Sequence, residues 1–522
     1  MIIHTKKQAV VLKLRQPQRV TTAIPTAKVF TSKGEEYVAI PHRPDETRVL
    51  RNLGFDAPDP MRYHYNWPKV ANRFDPFDAQ LETATFLSMQ DRAFCLNGMG
   101  TGKTNAALWA FDYLKSVKQA KKMLVVCPLS TMERTWADAV FQTFPHLDCA
   151  VLHGTRDKRL KMLAQDVDVY IINIDGIGVI KDALATRDDI NVIAVDELAL
   201  ARNSSTDRWK VLNVICNKQS HRRVWGLTGS PTPNLPTDAW AQCKLITPTN
   251  PDLPKYFGQF RDKVMKQLTQ FKWVAKQNAN EEVFKVMQPA IRYSLDDCVD
   301  LPEQVFVEHD VPLTPEQKKA YKDMVSKLAA EYDGGQILAV NEAVKANKLI
   351  QIACGVAYGT GGTEIVIPSK PRMDVLKEVI EQSEGKVIVF VPLTGALESV
   401  AAELRKTWTV EVVHGETSKS ARDTIFGNFQ KTPDPHVLVA NAAAMSHGLT
   451  LTEATTIVWY APVHSNEVYE QACARVRRPG QTKTTVIVHI SGTDVERRVY
   501  KRLKEKQSMQ GVLLDMVREN KE

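Results

Sequence analysis

Several features that would assign this 522-residue chain to a specialised class are missing. It has no run of about 18 or more apolar residues, so we expect no membrane-spanning helix. The N-terminal stretch MIIHTKKQAVVLKLRQ interrupts its apolar residues with lysines and lacks a small-residue cleavage site, unlike a secretion signal. Short repeats and low-complexity tracts are also absent. These absences favour a globular protein of the cytoplasm.

Cysteine is sparse and is never paired closely in sequence. The eight cysteines are scattered singly from Cys95 to Cys473, and no two of them form a CxxC pair. This spacing lacks the ligand pairs of a zinc site and the density of a disulfide framework. We therefore expect buried thiols in a reducing compartment.

An excess of positive charge is concentrated at the start of the chain. The formal net charge is +8, and residues 1–68 hold 11 Lys and Arg against 6 Asp and Glu. This balance permits a nucleic-acid partner without requiring one. Short β-like runs at 9–14, 27–31 and 37–40 alternate there with prolines. The pattern predicts a small β-rich accessory module at 1–68, with an exit linker at 57–68.

Two series of apolar strands follow, and each alternates with helical stretches. This alternation predicts two α/β cores, each a parallel sheet covered by helices. The polar sequence between them predicts a helical region after residue 235 and a helical insertion at 310–370. The expected strands are 92–97, 123–127, 169–174, 192–195 and 224–227 in the first core, then 387–391, 410–413, 437–440, 457–460 and 486–490 in the second.

A glycine-rich loop joins the first strand of the first core to a helix. In such a loop, backbone N–H groups and the helix N-terminus can hold phosphate oxygens. Lys103 would reach the β and γ phosphates of a nucleotide, and the Thr104 hydroxyl would hold Mg²⁺. Asn97 replaces a glycine of the usual pattern, and we expect it to tolerate positive φ there. The predicted nucleotide-binding loop comprises Asn97, Gly98, Met99, Gly100, Thr101, Gly102, Lys103 and Thr104.

Two further motifs add charged groups. VIAVDELA ends a strand of the first core with Asp196, suited to Mg²⁺, and Glu197, suited to orienting and deprotonating water. QACARVRRPGQ, at 471–481, spaces Gln471, Arg475 and Arg478 along one face of a helix. That face is either a solvated basic surface or, if the two cores face each other, a source of arginines for the nucleotide.

The order of GMGTGKT, DELA, LTGSPTPN and QACARVRRPGQ resembles superfamily 2 helicases and, within them, the SNF2-like DNA translocases. The resemblance covers about 75–500. It implies two RecA-like parallel-sheet domains in tandem, at 69–295 and 296–522, which hydrolyse ATP with Mg²⁺. Ala199 stands where the family often has the His of its DEAH box. The compact layout resembles phage-encoded members, which would place the protein in a host cytoplasm.

The resemblance also implies contacts that no spacing rule supplies. Gln80 lies in a stretch similar to the adenine-recognising glutamine motif. VVCPLSTMERTW resembles motif Ia and MSHGLTL resembles motif V. These likenesses imply DNA contacts by Ser130, Thr131 and Ser446, and a nucleotide contact by Gly448.

The implied activity is ATP-driven movement along double-stranded or branched DNA, with catalytic roles for Lys103, Glu197, Gln471, Arg475 and Arg478. The alternatives are a strand-separating or branch-migrating fork remodeller, an ATP-gated DNA clamp, and the motor subunit of a nuclease assembly. Partner proteins from replication, recombination or DNA cleavage would fit each. Residues 1–68 are either a structural cap on the first core or a reader of DNA structure.

Overall fold

The computed structural model describes residues 1–71, 75–233, 235–269, 272–333, 347–358, 364–445 and 450–504. The chain folds into two units, one comprising Met1–Cys298 and one beginning at Val299. Within the described ranges, no helix is long and apolar enough to cross a membrane.

The first unit begins with a four-stranded antiparallel sheet in the order β1-β2-β4-β3. Alternation along β2 and β4 buries Val10, Leu12, Val38 and Ile40, which form a small core. The three strands expected from the sequence are confirmed. The elements of this region are β1 (Ile2–His4), β2 (Ala9–Lys13), β3 (Lys28–Ser32), β4 (Glu35–Pro41), α1 (Gln18–Ala23), α2 (Pro44–Asn52), α3 (Pro60–His64) and a short 3₁₀ turn at Thr5–Lys7.

The segment expected to be an exit linker is instead packed against the first core. Met61 is fully buried, and the Tyr65 hydroxyl donates a hydrogen bond to Asp112 at 2.6 Å. Trp67 meets Trp109 edge to face, with ring centroids 5.9 Å apart. The prolines suggested an open linker, but burial of these large side chains outweighs them.

A seven-stranded parallel sheet forms the centre of the first unit, in the order β13-β5-β10-β9-β6-β8-β7. The expected strands are all present. The two edge strands, β13 and β7, have no counterpart among the expected ones: β13 is only two residues long, and the four residues of β7 alternate between half-buried and buried. The strands are β5 (Arg92–Cys95), β6 (Lys122–Cys127), β7 (Cys149–Leu152), β8 (Val169–Asn173), β9 (Ile190–Asp196), β10 (Arg223–Leu227) and β13 (Ala290–Ile291).

Helices cover both faces of this sheet, as expected for a parallel sheet with crossover connections. They are α4 (Asp78–Met89), α5 (Lys103–Ser116), α6 (Asp138–Thr143), α7 (Arg156–Leu163), α8 (Lys181–Thr186), α9 (Asp207–Asn217), α10 (Asp238–Ile246), α11 (Phe257–Val264) and α12 (Ala279–Val286). Shorter helical turns occur at Leu129–Thr131, Met132–Ala137, Ile174–Ile180 and Leu198–Ala201. The region after 235 is not purely helical, because β11 (Met265–Thr269) pairs with β12 (Lys272–Ala275) as a hairpin.

The second unit is built on a six-stranded parallel sheet in the order β14-β21-β20-β17-β19-β18. Its five expected strands are confirmed. The sixth, β14, is an edge strand that was not expected, because charged residues interrupt its apolar pattern. The strands are β14 (Gln304–Asp310), β17 (Lys386–Phe390), β18 (Val410–Val413), β19 (Val437–Ala440), β20 (Ala454–Trp459) and β21 (Thr485–Ser491).

The helices of the second unit flank this sheet. The insertion at 310–370 is helical only in part, because it also contains the hairpin β15–β16. The elements are α13 (Pro315–Asp333), α14 with its described part at 347–353, β15 (Val356–Tyr358), β16 (Glu364–Val366), α15 (Lys370–Glu381), α16 (Thr394–Leu404), α17 (Lys419–Lys431), a 3₁₀ turn at Ala442–Met445, α18 (Asn466–Cys473) and α19 with its described part at 494–504.

Candidate nucleotide site

Strand register brings three separate motifs to one edge of the first sheet. Leu227, the last residue of β10, is aligned with Cys95 of β5 on one side and with Asp196 of β9 on the other. The glycine loop follows Cys95, Glu197 follows Asp196, and the TGS stretch follows Leu227. Ligands in open α/β sheets bind at the carboxyl ends of such strands. The alignment therefore marks the site.

The glycine loop turns through two left-handed residues and then enters α5. Gly100 has φ of 79° and Gly102 has φ of 81°, and α5 begins at Lys103. Asn97 is not among the positive-φ residues of the described chain, so the expectation that it would supply such a turn is wrong. The later glycines supply the left-handed backbone because they carry no Cβ.

Asn97 serves instead as a buried bridge. Its amide Nδ2 donates to Thr83 Oγ1 at 2.8 Å, and its Oδ1 accepts from the backbone N–H of Tyr293 at 2.9 Å. The residue is only 2% exposed. Its side chain thus ties the start of the loop to α4 and to the segment after β13, and a glycine could make neither bond.

Gln80 packs directly beneath the loop. Its Nε2 donates to the carbonyl of Thr101 at 3.1 Å, and its Oε1 accepts from the N–H of Phe77 at 3.1 Å. A Cβ added to Gly102 would lie 2.1 Å from Gln80 Nε2. The left-handed φ of 81° and this close approach to Gln80 together favour glycine at position 102. The structure places Gln80 in support of the loop, and its contact with adenine stays a prediction.

Lys103 folds back over the loop that precedes it. Its ammonium Nζ donates to the carbonyls of Asn97 and Gly98, both at 2.9 Å. Thr101 Oγ1 donates to the Gly98 carbonyl at 2.8 Å, which tightens the same turn. Thr104, in the first turn of α5, is half-buried. The lysine charge is therefore already positioned where a phosphate would meet the helix N-terminus.

The acidic pair is split between a buried and a less buried carboxylate. Asp196 is 8% exposed, and its Oδ2 accepts from the indole Nε1 of Trp136 at 2.9 Å. Burial, together with the neighbouring charge of Glu197, raises the pKa of Asp196, while the bond from Trp136 and the charge of Lys103 oppose that rise. Glu197 has φ of 50°, an uncommon conformation for a residue with a side chain.

The groups at this edge match the chemistry of magnesium. Carboxylate and hydroxyl oxygens are the ligands Mg²⁺ prefers. Asp196 offers a carboxylate that is buried and bonded through Trp136, and Thr104 offers a hydroxyl at the start of α5. A divalent cation beside Asp196 would also offset the cost of burying its charge. The donor set therefore fits the ion.

The arginine motif of the second unit is not the helical face expected from its spacing. Helix α18 ends at Cys473, and Arg475 and Arg478 lie in the turns that follow. Pro479 disfavours helical backbone at the residue before it, and Gly480 has φ of 101°. The spacing of Gln471, Arg475 and Arg478 predicted a longer helix, because the residues that disfavour helix, Pro479 and Gly480, come only at the end of the motif.

Burial also distinguishes this motif from a solvated basic surface. Gln471 is 8% exposed and Arg475 is 3% exposed. Arg478 is half-buried, donates from Nε to the Ala474 carbonyl at 2.8 Å, and has its pKa lowered to about 10 by burial. It stays protonated at neutral pH. The interpretation of these residues as a merely solvated face does not fit Gln471 or Arg475.

The residues expected to contact DNA are placed unequally. Ser130 is exposed, whereas Thr131 is buried and its hydroxyl donates to the Pro128 carbonyl at 3.0 Å. Ser446 and Gly448 lie outside the described residues. Their roles stay predictions.

Three supporting residues were not identified as part of the site from sequence. Trp136 holds Asp196, while Thr83 and Tyr293 hold Asn97. The tryptophan ends the motif Ia stretch, so a partner for its indole N–H could have been sought. The other two give no sequence signal, because no local pattern links residue 83 or residue 293 to Asn97.

Two protein-family profiles match the chain. The profile of the SNF2-related domain matches residues 87–353, which is more than half of the chain, and that of the helicase conserved C-terminal domain matches residues 371–480. The chain belongs to the SNF2-related family. It is an ATP-hydrolysing enzyme that acts with DNA through a helicase-like core.

Individual relatives are distant from this SNF2-related protein. It is 26% identical over 444 residues to "Putative protein p41" of Acyrthosiphon pisum secondary endosymbiont phage 1, covering 81% of this chain and 94% of that protein. It is 24% identical over 416 residues to "SWI/SNF-related matrix-associated actin-dependent regulator of chromatin subfamily A-like protein 1" of Xenopus laevis. That match covers 77% of this chain but only 40% of the frog protein.

Among solved structures, the "Sulfolobus solfataricus SWI2/SNF2 ATPase core in complex with dsDNA" is similar at 22% identity. It covers 85% of this chain and 93% of that one, with a TM-score of 0.40. The family assignment rests on the sequence profiles and not on this superposition.

Proposed function

We propose that this SNF2-related ATPase moves along double-stranded DNA by coupling ATP hydrolysis to opening and closing of its two RecA-like units. The observation that carries the proposal is the alignment of Cys95, Leu227 and Asp196, which brings the phosphate loop and the acidic pair to one edge of a sheet. The LTGSP and QACARVRRPGQ stretches, which resemble motifs of the SNF2-like DNA translocases, favour duplex DNA as the track.

Each group at this edge has a defined task in the proposed reaction. Lys103 exchanges its bonds to the Asn97 and Gly98 carbonyls for oxygens of the β and γ phosphates. Glu197 orients the attacking water and accepts its proton. Asp196 and Thr104 would hold Mg²⁺, and the bound ion would supply positive charge beside the phosphates. Gln80 keeps the loop in place through Thr101 and contacts the adenine.

The second unit supplies the remaining charge. Arg475 and Arg478, with Gln471, complete the site when the two units close on ATP. Arginines supplied to a phosphoryl group in this way stabilise the charge of the transition state. Ser130, Thr131 and Ser446 stay the proposed DNA contacts, although the Thr131 hydroxyl is engaged by the Pro128 carbonyl, and Gly448 stays the proposed nucleotide contact. The free thiols of all eight cysteines agree with a reducing cytoplasm, that of a host cell if a phage encodes the protein.

The decisive experiment combines two assays. ATPase rate is measured on single strands, duplex, forks, four-way junctions and RNA duplex. Displacement of a triplex-forming strand from duplex DNA is then followed with and without ATP. A translocase shows duplex-stimulated hydrolysis and ATP-dependent triplex displacement. Hydrolysis without displacement indicates an ATP-gated clamp, and displacement together with branch migration or unwinding of forks indicates a fork remodeller. Activity that appears only with an added nuclease indicates a motor subunit.

A further inference from the structure

The N-terminal module keeps its positive charge on one half. Residues 1–34 contain seven Lys and Arg and no Asp or Glu. Lys13 pairs with Glu35 at 2.5 Å. The other six are exposed, and none makes an ion pair within the described parts of the chain; they are Lys6, Lys7, Arg15, Arg19, Lys28 and Lys33. This half therefore carries charge that an anionic partner could neutralise.

The arginines of the other half are used internally. Arg43 pairs with Glu46, Arg51 pairs with Asp59, and Arg62 pairs with Glu82. Arg48 and the carboxylates around it fasten α2 to the first core. Arg48 Nη1 donates to Asp91 at 2.8 Å, and Gln119 Nε2 donates to Asp45 at 2.7 Å. The side of the module that carries α2 is thus anchored to the first core, as expected if residues 1–68 form a structural cap.

The opposite side of the module is an open sheet face. Val38 and its buried neighbours point to the helices, so Tyr37, Ala39, Val11 and Lys13, which alternate with them, point away. Phe30 lies directly opposite Tyr37 across β3 and β4. Phe30 and Tyr37 therefore lie on the face of the sheet opposite the small core of the module.

An exposed aromatic pair lies on this open face. The rings of Phe30 and Tyr37 are stacked, with centroids 5.7 Å apart and planes 21° apart, and Phe30 is 41% exposed. The Tyr37 hydroxyl donates to Glu35 at 3.0 Å, and Glu35 also binds Lys13, so the tyrosine ring is fixed in orientation. Lys28 lies two residues before Phe30 on the same side of β3.

These observations favour a single-stranded partner over a duplex. Bases stack on exposed aromatic rings only when their own faces are accessible, and duplex bases are already stacked on each other. Nearby lysines can neutralise the phosphates of the strand. We propose that the outward face of the N-terminal sheet binds single-stranded DNA, with bases stacked on Phe30 and Tyr37 and phosphates near Lys28. This second DNA site is separate from the duplex track of the motor and does not depend on it.

The test uses the full chain and a fluorescently labelled 20-nucleotide oligothymidylate, with a blunt duplex of equal length for comparison. Phe30→Ala, Tyr37→Ala, Lys28→Gln and the control Val29→Ala are titrated at several salt concentrations. Val29 is exposed on the same strand but on the opposite side from Phe30. Folding is checked by circular dichroism, and duplex-stimulated ATPase is measured on every variant.

We expect Phe30→Ala and Tyr37→Ala each to weaken oligothymidylate binding about five- to hundred-fold, with an unchanged salt slope. Lys28→Gln should reduce the log–log salt slope by about 0.7. Val29→Ala should bind oligothymidylate as tightly as the wild type. The rate of duplex-stimulated ATP hydrolysis should be unchanged in every variant. The proposal would be overturned if wild type and folded Phe30→Ala bound oligothymidylate equally, or if Phe30→Ala lost affinity for the blunt duplex by the same factor. Because the ATPase rate is measured separately, either result would leave the proposed motor function untouched.

A second measurement covers the case in which the motor itself binds the oligonucleotide tightly. Oligothymidylate carrying 5-iodouracil is photo-cross-linked to the wild-type chain, and the attached peptides are identified by mass spectrometry. Cross-links at Phe30 or Tyr37 support the proposal. Cross-links confined to residues beyond 68 contradict it.

Discussion

The indole Nε1 of Trp136 donates a hydrogen bond to Oδ2 of Asp196 at 2.9 Å, and both side chains are buried. This bond connects the segment after β6 with the end of β9, which lie about 60 residues apart in the chain. The hydrogen bond from Trp136 favours the charged form of the Asp196 carboxylate. Burial and the neighbouring charge of Glu197 act in the opposite direction and favour the neutral form. Trp136 is therefore a positioning residue for the acidic pair.

Trp136→Phe should raise the pKa of Asp196 further, because the substitution removes a donor to its charged form. The acid limb of the ATPase pH profile should then move to higher pH, and the unfolding free energy should fall by about 1–3 kcal/mol. Trp209→Phe is the matched control, since it removes an indole bond of 2.8 Å to the Ala241 carbonyl. An acid limb that stays in place in Trp136→Phe contradicts the role.

Lys103→Ala should lose ATP turnover, because the charge held over the loop at Asn97 and Gly98 is removed. Glu197→Gln should bind ATP normally but hydrolyse it about 10²–10⁴-fold more slowly, since an amide cannot accept the proton of water. Phosphate release and nucleotide binding are measured for each. Lys115→Ala, near the end of the same helix, is the control. Near-normal turnover in either variant would rule out the assignment.

Arg478→Ala should lower kcat about 10³–10⁵-fold while changing ATP affinity little, because the charge it offsets develops in the transition state. Arg475→Ala should act in the same direction but more weakly. Lys at position 478 should restore little activity, since an ammonium lacks the planar fork of a guanidinium. Arg498→Ala, exposed on α19, serves as the control. Unchanged kcat in Arg478→Ala would show that the arginine is structural.

The His42–His64 pair should make the N-terminal module sensitive to acid. His42 Nδ1 lies 2.8 Å from His64 Nε2, and burial together with His42 lowers the pKa of His64 to about 4. Between this value and the ordinary value of about 6.5, the unfolded chain binds more protons than the folded one. Stability should therefore decrease as the pH falls from about 6.5 towards 4.

Hydrogen exchange of β4 and α3 at pH 7.5 and pH 5 measures this effect locally. His64→Gln should make protection of these segments less dependent on pH over that range. His221→Gln, at an exposed position of the first core, should leave the dependence unchanged. If wild type and His64→Gln respond identically to acid, the pair is not the cause.

Arg372 and Glu496 form a buried ion pair that should matter greatly for the second unit. Arg372 Nη2 and Glu496 Oε1 are 2.7 Å apart, and the two side chains are 2% and 0% exposed. Either single alanine substitution should destabilise the unit by about 3–5 kcal/mol, because it leaves a buried charge without its partner. Arg372→Met combined with Glu496→Leu should cost much less. Urea unfolding, followed by hydrogen exchange of β20 and β21, gives these values; a small effect of both single substitutions would contradict the prediction.

Local sequence patterns were sufficient to predict the class of fold and the positions of the candidate nucleotide-site motifs. Strand runs, helical spacing and the positions of Gly100 and Gly102 are properties of about ten consecutive residues, so local pattern is sufficient to predict them. The phosphate loop after β5 and the carboxylates after β9 were located on this basis. Two edge strands did not follow from local pattern: the four residues of β7 alternate between half-buried and buried, and β14 carries charged residues.

The side chains that support those motifs depend on contacts between residues that are distant in the chain. Asn97 was expected to supply a left-handed turn, but it bridges Thr83 and Tyr293, the latter almost 200 residues away. Arg475 was placed on a helix, but α18 ends first and the residue is buried in a turn. Hydrogen-bond partners and burial depend on residues distant in the chain, and no local pattern contains that information.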